Sequence, residues 1–173
     1  ASATPIATPT PTPTPAPTPF APVVHASGEF HGSDDFHFGQ EVSFSTDGRP
    51  FLSYWSRTWL LDEQGNQIKP LAMETGFWRP QPNNQVEVVL AHPTGYAEVW
   101  YGSQEVTAIV DATITGARAD LTTDSVMRTA SAKEYTLGHR LYGLVEGRLL
   151  WAYDMAVVGQ PLTAHVSARL KRA

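Results

Sequence analysis

Short strand-like runs separated by turn signals are the feature that most constrains how this chain can fold. From residue 40 onwards, polar and apolar side chains alternate in short runs, which is the period of a half-buried β-strand. Asp47-Gly48, Gly65-Asn66 and Glu146-Gly147 interrupt these runs, and such pairs tolerate the positive φ angles of tight hairpin turns. No window predicts a long amphipathic helix. The sequence therefore predicts an all-β protein.

The spacing of the turns predicts how the strands assemble. Turn signals at roughly 8–12-residue intervals are typical of antiparallel barrels and sandwiches, and a closed sheet has no exposed edges. A barrel of about ten strands encloses more space than its side chains fill, so we expect an internal ligand cavity of the calycin or lipocalin kind. The predicted strands are residues 40–44, 51–59, 74–79, 86–92, 95–102, 106–115, 134–144, 149–158 and 163–170.

The first 19 residues differ from the rest of the chain. Residues 1–19 are almost entirely Ala, Thr and Pro, and proline occupies every second position of residues 8–15. Proline fixes φ and removes the amide donors that a helix or sheet needs, so this tract is predicted to be a disordered, semi-rigid linker. Residues 20–173 form the predicted β-barrel domain, which is about the size of one domain.

Composition excludes several function classes. The 12 basic residues are scattered along a chain of net charge −5, so nucleic acid is not a predicted partner. The chain has no cysteine, which excludes disulfides, cysteine-based zinc sites and thiolate ligation of haem. No apolar run approaches the ~20 residues that a membrane-spanning helix needs.

His165 is the candidate ligand residue, near the end of the last predicted strand. A neutral imidazole in an apolar cavity can be the only protein ligand of a haem iron, although a lone strand histidine also fits an exposed residue. In a regular strand, His165 shares a face with Thr163 and Ser167, whereas Ala164 and Val166 share the apolar face. His165 would then point outwards, unless a β-bulge turns it towards the cavity. A barrel with a partly covered outer face, or a cavity lined by small polar residues, would also resolve this conflict.

The other candidate residues have ordinary interpretations. His92 fits a place near the cavity mouth, but we expect it to have a structural role at a strand end. His139 is expected to be exposed. Met155 is predicted to fill the core, and the five tryptophans to pack the barrel, with one or two lining the cavity. Asp120 and Asp124 form no convincing carboxylate pair. Surface positions are predicted for His25, His31 and His37.

Five motifs in a fixed order resemble the nitrobindin family, whose haem-binding barrels are related in shape to fatty-acid-binding proteins. They extend from about residue 36 to residue 172. The motifs are Gly48-Arg49-Pro50-Phe51-Leu52-Ser53-Tyr54, Glu74-Thr75-Gly76-Phe77-Trp78-Arg79-Pro80, Val88-Val89-Leu90-Ala91-His92-Pro93-Thr94-Gly95, Ser131-Ala132-Lys133-Glu134, and Val158-Gly159-Gln160-Pro161-Leu162 with His165.

The resemblance implies a function and a site. It implies a ten-stranded barrel that holds one haem b, with His165 as the proximal iron ligand and therefore as the catalytic and metal-binding residue. It also implies that the haem binds nitric oxide and that its ferric form isomerises peroxynitrite to nitrate. Lys133 fits a haem propionate partner at the barrel rim or an ordinary surface lysine. A cytoplasmic location follows from the family, with an exported or tethered form left open, and a homodimer is left open as well.

One family motif is altered in this chain. Nitrobindins carry a Gly-x-Trp-x-Gly-x-Gly strand and a following Tyr-Pro-Thr-Ile turn that cover the haem. Here Phe30 replaces the tryptophan, Asp34 replaces the last glycine, and the turn is missing. We therefore expect a wetter cavity or weaker haem retention. Two alternatives stay open: a non-catalytic sensor or carrier of nitric oxide, and a haem-free carrier of an apolar small molecule.

Overall fold

The computed structural model describes residues 18–21, 36–111, 113–157 and 161–172. These residues form ten antiparallel strands in a closed barrel, in which each strand pairs with its neighbours in sequence and the first strand pairs with the last. The predicted architecture is confirmed. The strands are β1 (Thr18–Ala21), β2 (Phe38–Ser45), β3 (Leu52–Leu61), β4 (Gln67–Gln81), β5 (Gln85–His92), β6 (Tyr96–Val110), β7 (Thr113–Arg128), β8 (Tyr135–Val145), β9 (Arg148–Val157) and β10 (Thr163–Arg172).

The predicted turns are present where glycine supplies a positive φ angle. Gly48 lies between β2 and β3, Gly65 between β3 and β4, and Gly147 between β8 and β9, with φ angles of 92°, 84° and 71°. Glu146 also has a positive φ of 50°, which completes a two-residue hairpin turn with Gly147. Within the described ranges, no helix is long or apolar enough to cross a bilayer.

Three strand predictions were wrong or missing. Residues 106–115 do not form one strand, because the chain reverses at Asp111, whose φ is 48°. The β-branched residues on both sides of Asp111 look continuous in the sequence, and no glycine marks the turn. The strand that follows, β7, was not predicted beyond residue 115. Strand β1 was also missed: Thr18 and Pro19 belong to it and pair with β2, although both lie inside the predicted linker.

The barrel interior is divided into two halves. One half is a packed core of apolar and aromatic side chains, in which Trp78 packs edge-on against Tyr142 with ring centroids 5.0 Å apart. The other half is a cavity at the end of the barrel where β2, β6, β8 and β10 begin. The core side chains include Val42, Tyr54, Trp78, Val86, Val88, Leu90, Trp100, Leu121, Tyr142, Leu149 and Leu170.

The β6–β7 hairpin extends beyond its neighbours at the packed end of the barrel. Strand β5 pairs with β6 only as far as Ser103, and β8 pairs with β7 only from Ala117 onwards. Residues 104–111 and 113–116 therefore form a two-stranded ribbon. Its apolar side chains are largely exposed, with Ile109 64% exposed and Val110 56% exposed. We call residues 104–111 and 113–116 the ribbon.

Candidate functional site

The cavity has a volume of about 830 Å³, which lies within the ~300–1,000 Å³ usual for ligand and cofactor sites. Its walls combine aromatic and aliphatic side chains with a smaller number of polar ones. Phe36, Phe38, Met155 and Val166 contribute apolar surface. The polar side chains lie mainly on the cavity floor, next to the packed core, and include Gln40, Ser56, Glu74, His92, Glu98 and Arg140.

A β-bulge turns His165 towards the cavity. In the pairing of β10 with β9, Ala164 lies opposite Asp154 and Val166 lies opposite Tyr153, so His165 is the extra residue between them. Both His165 and Val166 line the cavity, as do their neighbours Tyr153 and Met155 on β9. In a regular strand, successive side chains point to opposite faces, so either His165 or Val166 would have pointed out of the barrel. The bulge therefore resolves the conflict that the strand pattern presented.

Tyr153 holds one side of the His165 ring. The two rings meet edge to face, with centroids 5.6 Å apart and an interplanar angle of 89°. The Tyr153 hydroxyl donates a hydrogen bond of 2.8 Å to the hydroxyl of Tyr135. The Arg140 guanidinium lies 4.5 Å from the centre of the Tyr153 ring. Because Tyr153 is held at both its hydroxyl and its face, it restricts the space in which the His165 imidazole can turn.

Arg140 and Glu74 form a buried ion pair between the cavity and the packed core. Nη1 and Nη2 of Arg140 donate to the two carboxylate oxygens of Glu74 at 2.8 and 2.9 Å. The Tyr54 hydroxyl donates to the same carboxylate at 2.5 Å. Arg140 is only 4% exposed, and a charge this deeply buried is rarely found without a partner.

Glu98 and His92 extend this charged layer. Glu98 accepts hydrogen bonds of 2.9 Å from Trp100 Nε1 and from His92 Nε2. The other ring nitrogen of His92 lies 3.8 Å from a carboxylate oxygen of Glu74. Each ring nitrogen of His92 therefore lies near a carboxylate oxygen, Nε2 at hydrogen-bond distance and Nδ1 farther away. We call Glu74, His92, Glu98 and Arg140 the charged layer.

The layer keeps both of its carboxyl groups ionised. Burial alone would raise the pKa of Glu74, but the attraction and hydrogen bonds of Arg140 outweigh it and lower that pKa to about 2. Burial likewise opposes ionisation of Glu98, and the hydrogen bond from His92 together with the charge of Arg140 lowers its pKa. Burial also raises the pKa of Tyr153, so its hydroxyl remains protonated.

Lys133 lies on the loop between β7 and β8, at the cavity rim. The backbone N–H of Thr129 donates to Gly95 O at 2.9 Å, and the Tyr96 hydroxyl donates to Lys133 O at 2.8 Å. Gly95 has a φ of 95°, and a Cβ there would lie 2.3 Å from Thr129 Oγ1, so a glycine is needed for this approach. The loop is thereby fixed against β6, and Lys133 is exposed while also lining the cavity.

The structure corrects two interpretations of histidines. His92 lines the cavity as part of the charged layer instead of only ending a strand. His139 is half-buried rather than exposed, and its Nε2 lies 2.9 Å from Asp120 Oδ1 on a neighbouring strand. The expected exposure of His37 is confirmed, whereas His25 and His31 lie outside the described residues.

Other predicted residues follow their expected roles. Trp78 and Trp100 are buried in the core, and Trp151 lines the cavity, where its Nε1 donates to Gln40 Oε1 at 2.7 Å. Met155 lines the cavity as well as packing against the core. The altered motif at residues 28–34 lies outside the described residues, so its effect on the cavity stays a prediction.

The charged layer was missed in the sequence, although a signal was present. Glu98 lies between Tyr96 and Trp100 at the inward positions of β6, and Arg140 lies between Gly138 and Tyr142 on β8. Charges at core-facing positions of a strand predict a buried partner. The sequence does not show which partners meet, because Glu74 and Arg140 are 66 residues apart.

These residues fit a haem. Among the described residues, no three His, Asp or Glu side chains come together as a site for a bare metal ion. His165, in contrast, lines a large cavity with apolar walls, as a single axial imidazole requires. His92 does not compete for this role, since both of its nitrogens face carboxylates.

Comparison with known proteins shows which proteins this chain is similar to. A curated peroxynitrite isomerase of Nocardioides sp. is 49% identical over 84% of this chain and 82% of its own length. A ferric nitrobindin-like protein of Kineococcus radiotolerans is 50% identical over 82% of this chain and 80% of its own length. The crystal structure of Rv2717c from M. tuberculosis has a TM-score of 0.78 at 33% identity, covering 90% of this chain and 91% of that one.

The family model described as "THAP4-like, heme-binding beta-barrel domain" matches residues 24–172. This match includes β2 to β10, the charged layer, His165 and Lys133. The resemblance to nitrobindins is thus confirmed by the family model and by the related sequences. The chain belongs to the family of THAP4-like heme-binding β-barrel domains.

Proposed function

We propose that this barrel holds haem b with His165 as the protein ligand of the iron, and that it isomerises peroxynitrite to nitrate. The observation that carries the proposal is the bulge between Ala164 and Val166, which brings His165 into a cavity of cofactor size. Relatives that share nearly half of their residues with this chain are named peroxynitrite isomerases, which supports the reaction assigned here.

The chain's own residues would prepare the site in three ways. The His165 imidazole would provide one nitrogen to the iron, and the edge-on Tyr153 ring would limit its rotation. Phe36, Phe38 and Val166 would exclude water from the porphyrin faces. When bound, ferric haem supplies a Lewis-acidic iron with an open coordination position at which the peroxynitrite anion rearranges to nitrate.

Lys133 would pair with a haem propionate at the rim. Its ammonium is on a loop that is fixed by one backbone hydrogen bond, from Thr129 N–H to Gly95 O, and by the Tyr96 hydroxyl. An ion pair at an exposed rim contributes little to affinity, about 1 kcal/mol or less, so its main effect would be on haem orientation. The same open iron position would bind nitric oxide, which is neutral and small.

The test is to mix the hemin-loaded protein with peroxynitrite in a stopped-flow instrument and to quantify nitrate and nitrite. We expect faster decay and a larger nitrate fraction than with free hemin, loss of both in His165→Ala, and retention of both in His139→Gln. If peroxynitrite decays no faster than with free hemin, the proposed isomerase activity is excluded. Tight nitric oxide binding in that case would select the non-catalytic carrier, whereas no spectral change with hemin would select a haem-free carrier.

A homodimer is the assembly that we propose, formed through the ribbon. Strand edges without a neighbour and exposed β-branched side chains such as Val106, Ile109 and Val110 are typical of pairing surfaces. Light scattering should give a dimer mass for the wild type and a monomer mass for Ile109→Lys. A monomer at high micromolar concentration would contradict this assembly. The cytoplasmic location remains a prediction, as does the linker predicted at residues 1–19 for the part that precedes β1.

A further inference from the structure

The charged layer contains more negative than positive charges. Glu74 and Glu98 are both ionised, and Arg140 supplies one positive charge, so the layer carries one net negative charge when His92 is neutral. Protonation of His92 cancels that charge. The layer forms the floor of the cavity in which the iron ligand His165 also lies. The charge on His92 therefore sets the electrostatic potential that an incoming ligand meets.

His92 lies between two carboxylates. Nε2 is at hydrogen-bond distance, 2.9 Å, from a Glu98 oxygen, and Nδ1 is 3.8 Å from a Glu74 oxygen. A protonated imidazole carries an N–H on each nitrogen, whereas a neutral one carries a single N–H. The groups facing His92 are Glu74 on β4, Glu98 and Tyr96 on β6, and Arg140 on β8.

We propose that His92 is a specificity-determining residue, which admits anionic ligands to the haem by balancing the charge of Glu74 and Glu98. This inference rests on the proposed function, because it requires haem in the cavity. Peroxynitrite is an anion near neutral pH, and it would approach a floor with no net charge when His92 is protonated. Loss of the His92 proton restores a negative charge inside the same cavity, which repels the anion.

Charge balance makes anion binding and His92 protonation mutually dependent. If protonated His92 favours the anion, then the bound anion favours protonated His92 by the same factor. At an effective dielectric constant of about 20, a change of one elementary charge in the same partly desolvated cavity should change the affinity for an anionic ligand by on the order of tenfold. Nitric oxide and carbon monoxide are neutral, so their affinity should not respond to the charge on His92.

The experiment uses azide as the anionic probe of the ferric protein and carbon monoxide as the neutral probe of the ferrous protein. His92→Gln keeps a hydrogen-bond donor towards Glu98 but leaves the layer permanently negative, and azide affinity should fall about tenfold at low pH. Glu98→Gln removes one negative charge, and azide affinity should rise. Carbon monoxide affinity should stay within about twofold in both variants.

Opposite signs for the two variants distinguish charge balance from structural damage, which would weaken azide binding in both. The protonation of His92 is measured separately by NMR of its ring nitrogens in the haem-free wild type and in Glu98→Gln, so that azide affinities are compared at a pH where the two proteins have the same protonation of His92. Azide affinity that is equal in the wild type and His92→Gln would overturn the inference while leaving the proposed function intact. Failure of the wild type to bind hemin would overturn both.

Discussion

Removal of Arg140 should destabilise the fold severely, because it leaves two carboxylates without their counter-charge. Arg140 is 4% exposed and the side chains of Glu74 and Glu98 are 15% and 2% exposed, so little water replaces the lost partner. The pKa of Glu74 falls from 4.5 to about 2 in the fold, which corresponds to about 3 kcal/mol of stabilisation of its charged form. Breaking a buried pair on one side typically costs ~3–5 kcal/mol. Arg140→Met should therefore lower the free energy of unfolding by about 3–5 kcal/mol.

The assay is urea unfolding of the haem-free protein at neutral pH, with the slope of the transition checked for each variant. Arg79→Met is the matched control, because Arg79 pairs with Glu87 at 2.9 Å on the surface, where the side chains are 54% and 39% exposed. That variant should lose about 1 kcal/mol or less. The double variant Arg140→Met/Glu74→Gln should recover part of the loss. The reasoning would be refuted if Arg140→Met lowered the free energy of unfolding by no more than Arg79→Met does.

Two further predictions concern stability. The hydrogen bond to Asp120 raises the pKa of His139, with burial opposing it and Asp154 adding to it. The pKa of His139 is higher in the folded than in the unfolded protein, so its stabilisation is complete below about pH 6.5 and is lost as pH rises through the folded pKa. His139→Gln should therefore lower the free energy of unfolding more at about pH 5.5 than at about pH 8.5. An equal cost at both would contradict the assignment. At Gly138, a Cβ would lie 2.5 Å from Tyr135 Oη and 2.9 Å from Tyr153 Cε2. Gly138→Ala should therefore lower the free energy of unfolding by ~1–3 kcal/mol, measured by thermal or urea unfolding. An unchanged free energy of unfolding would show that these rings are free to move.

Local patterns in the sequence were sufficient for most of the barrel. Alternating residues and Asp-Gly or Glu-Gly turns have local causes, so the hairpins around Gly48 and Gly147 could be predicted without knowing the fold. The turn at Asp111 could not be predicted, because β-branched residues that favour strands lie on both sides of it, Ile109 and Val110 before it and Thr113 and Ile114 after it. Strand β1 forms by pairing with β2 and β10. Its own proline-containing sequence does not indicate a strand.

The site was only partly predictable for the same reason. His165 was identified from its position in the family pattern. The strand period showed a conflict in its orientation, and the bulge that the structure contains was one of three explanations that the sequence allowed. The partners in the charged layer come from three different strands, β4, β6 and β8, so their meeting depends on the closed barrel. His92 was misjudged because a strand-end position says nothing about which side chains face it across the interior.

The bond between His165 and the haem iron is the central claim, and an absorption titration with hemin tests it most directly. We expect a Soret band that saturates at one hemin per chain, and in the ferrous protein an iron–histidine stretch in the resonance Raman spectrum. His139→Gln should keep both signals, whereas His165→Leu should lose the iron–histidine stretch and retain hemin poorly. The same stretch and the same saturation in His165→Leu would contradict the account.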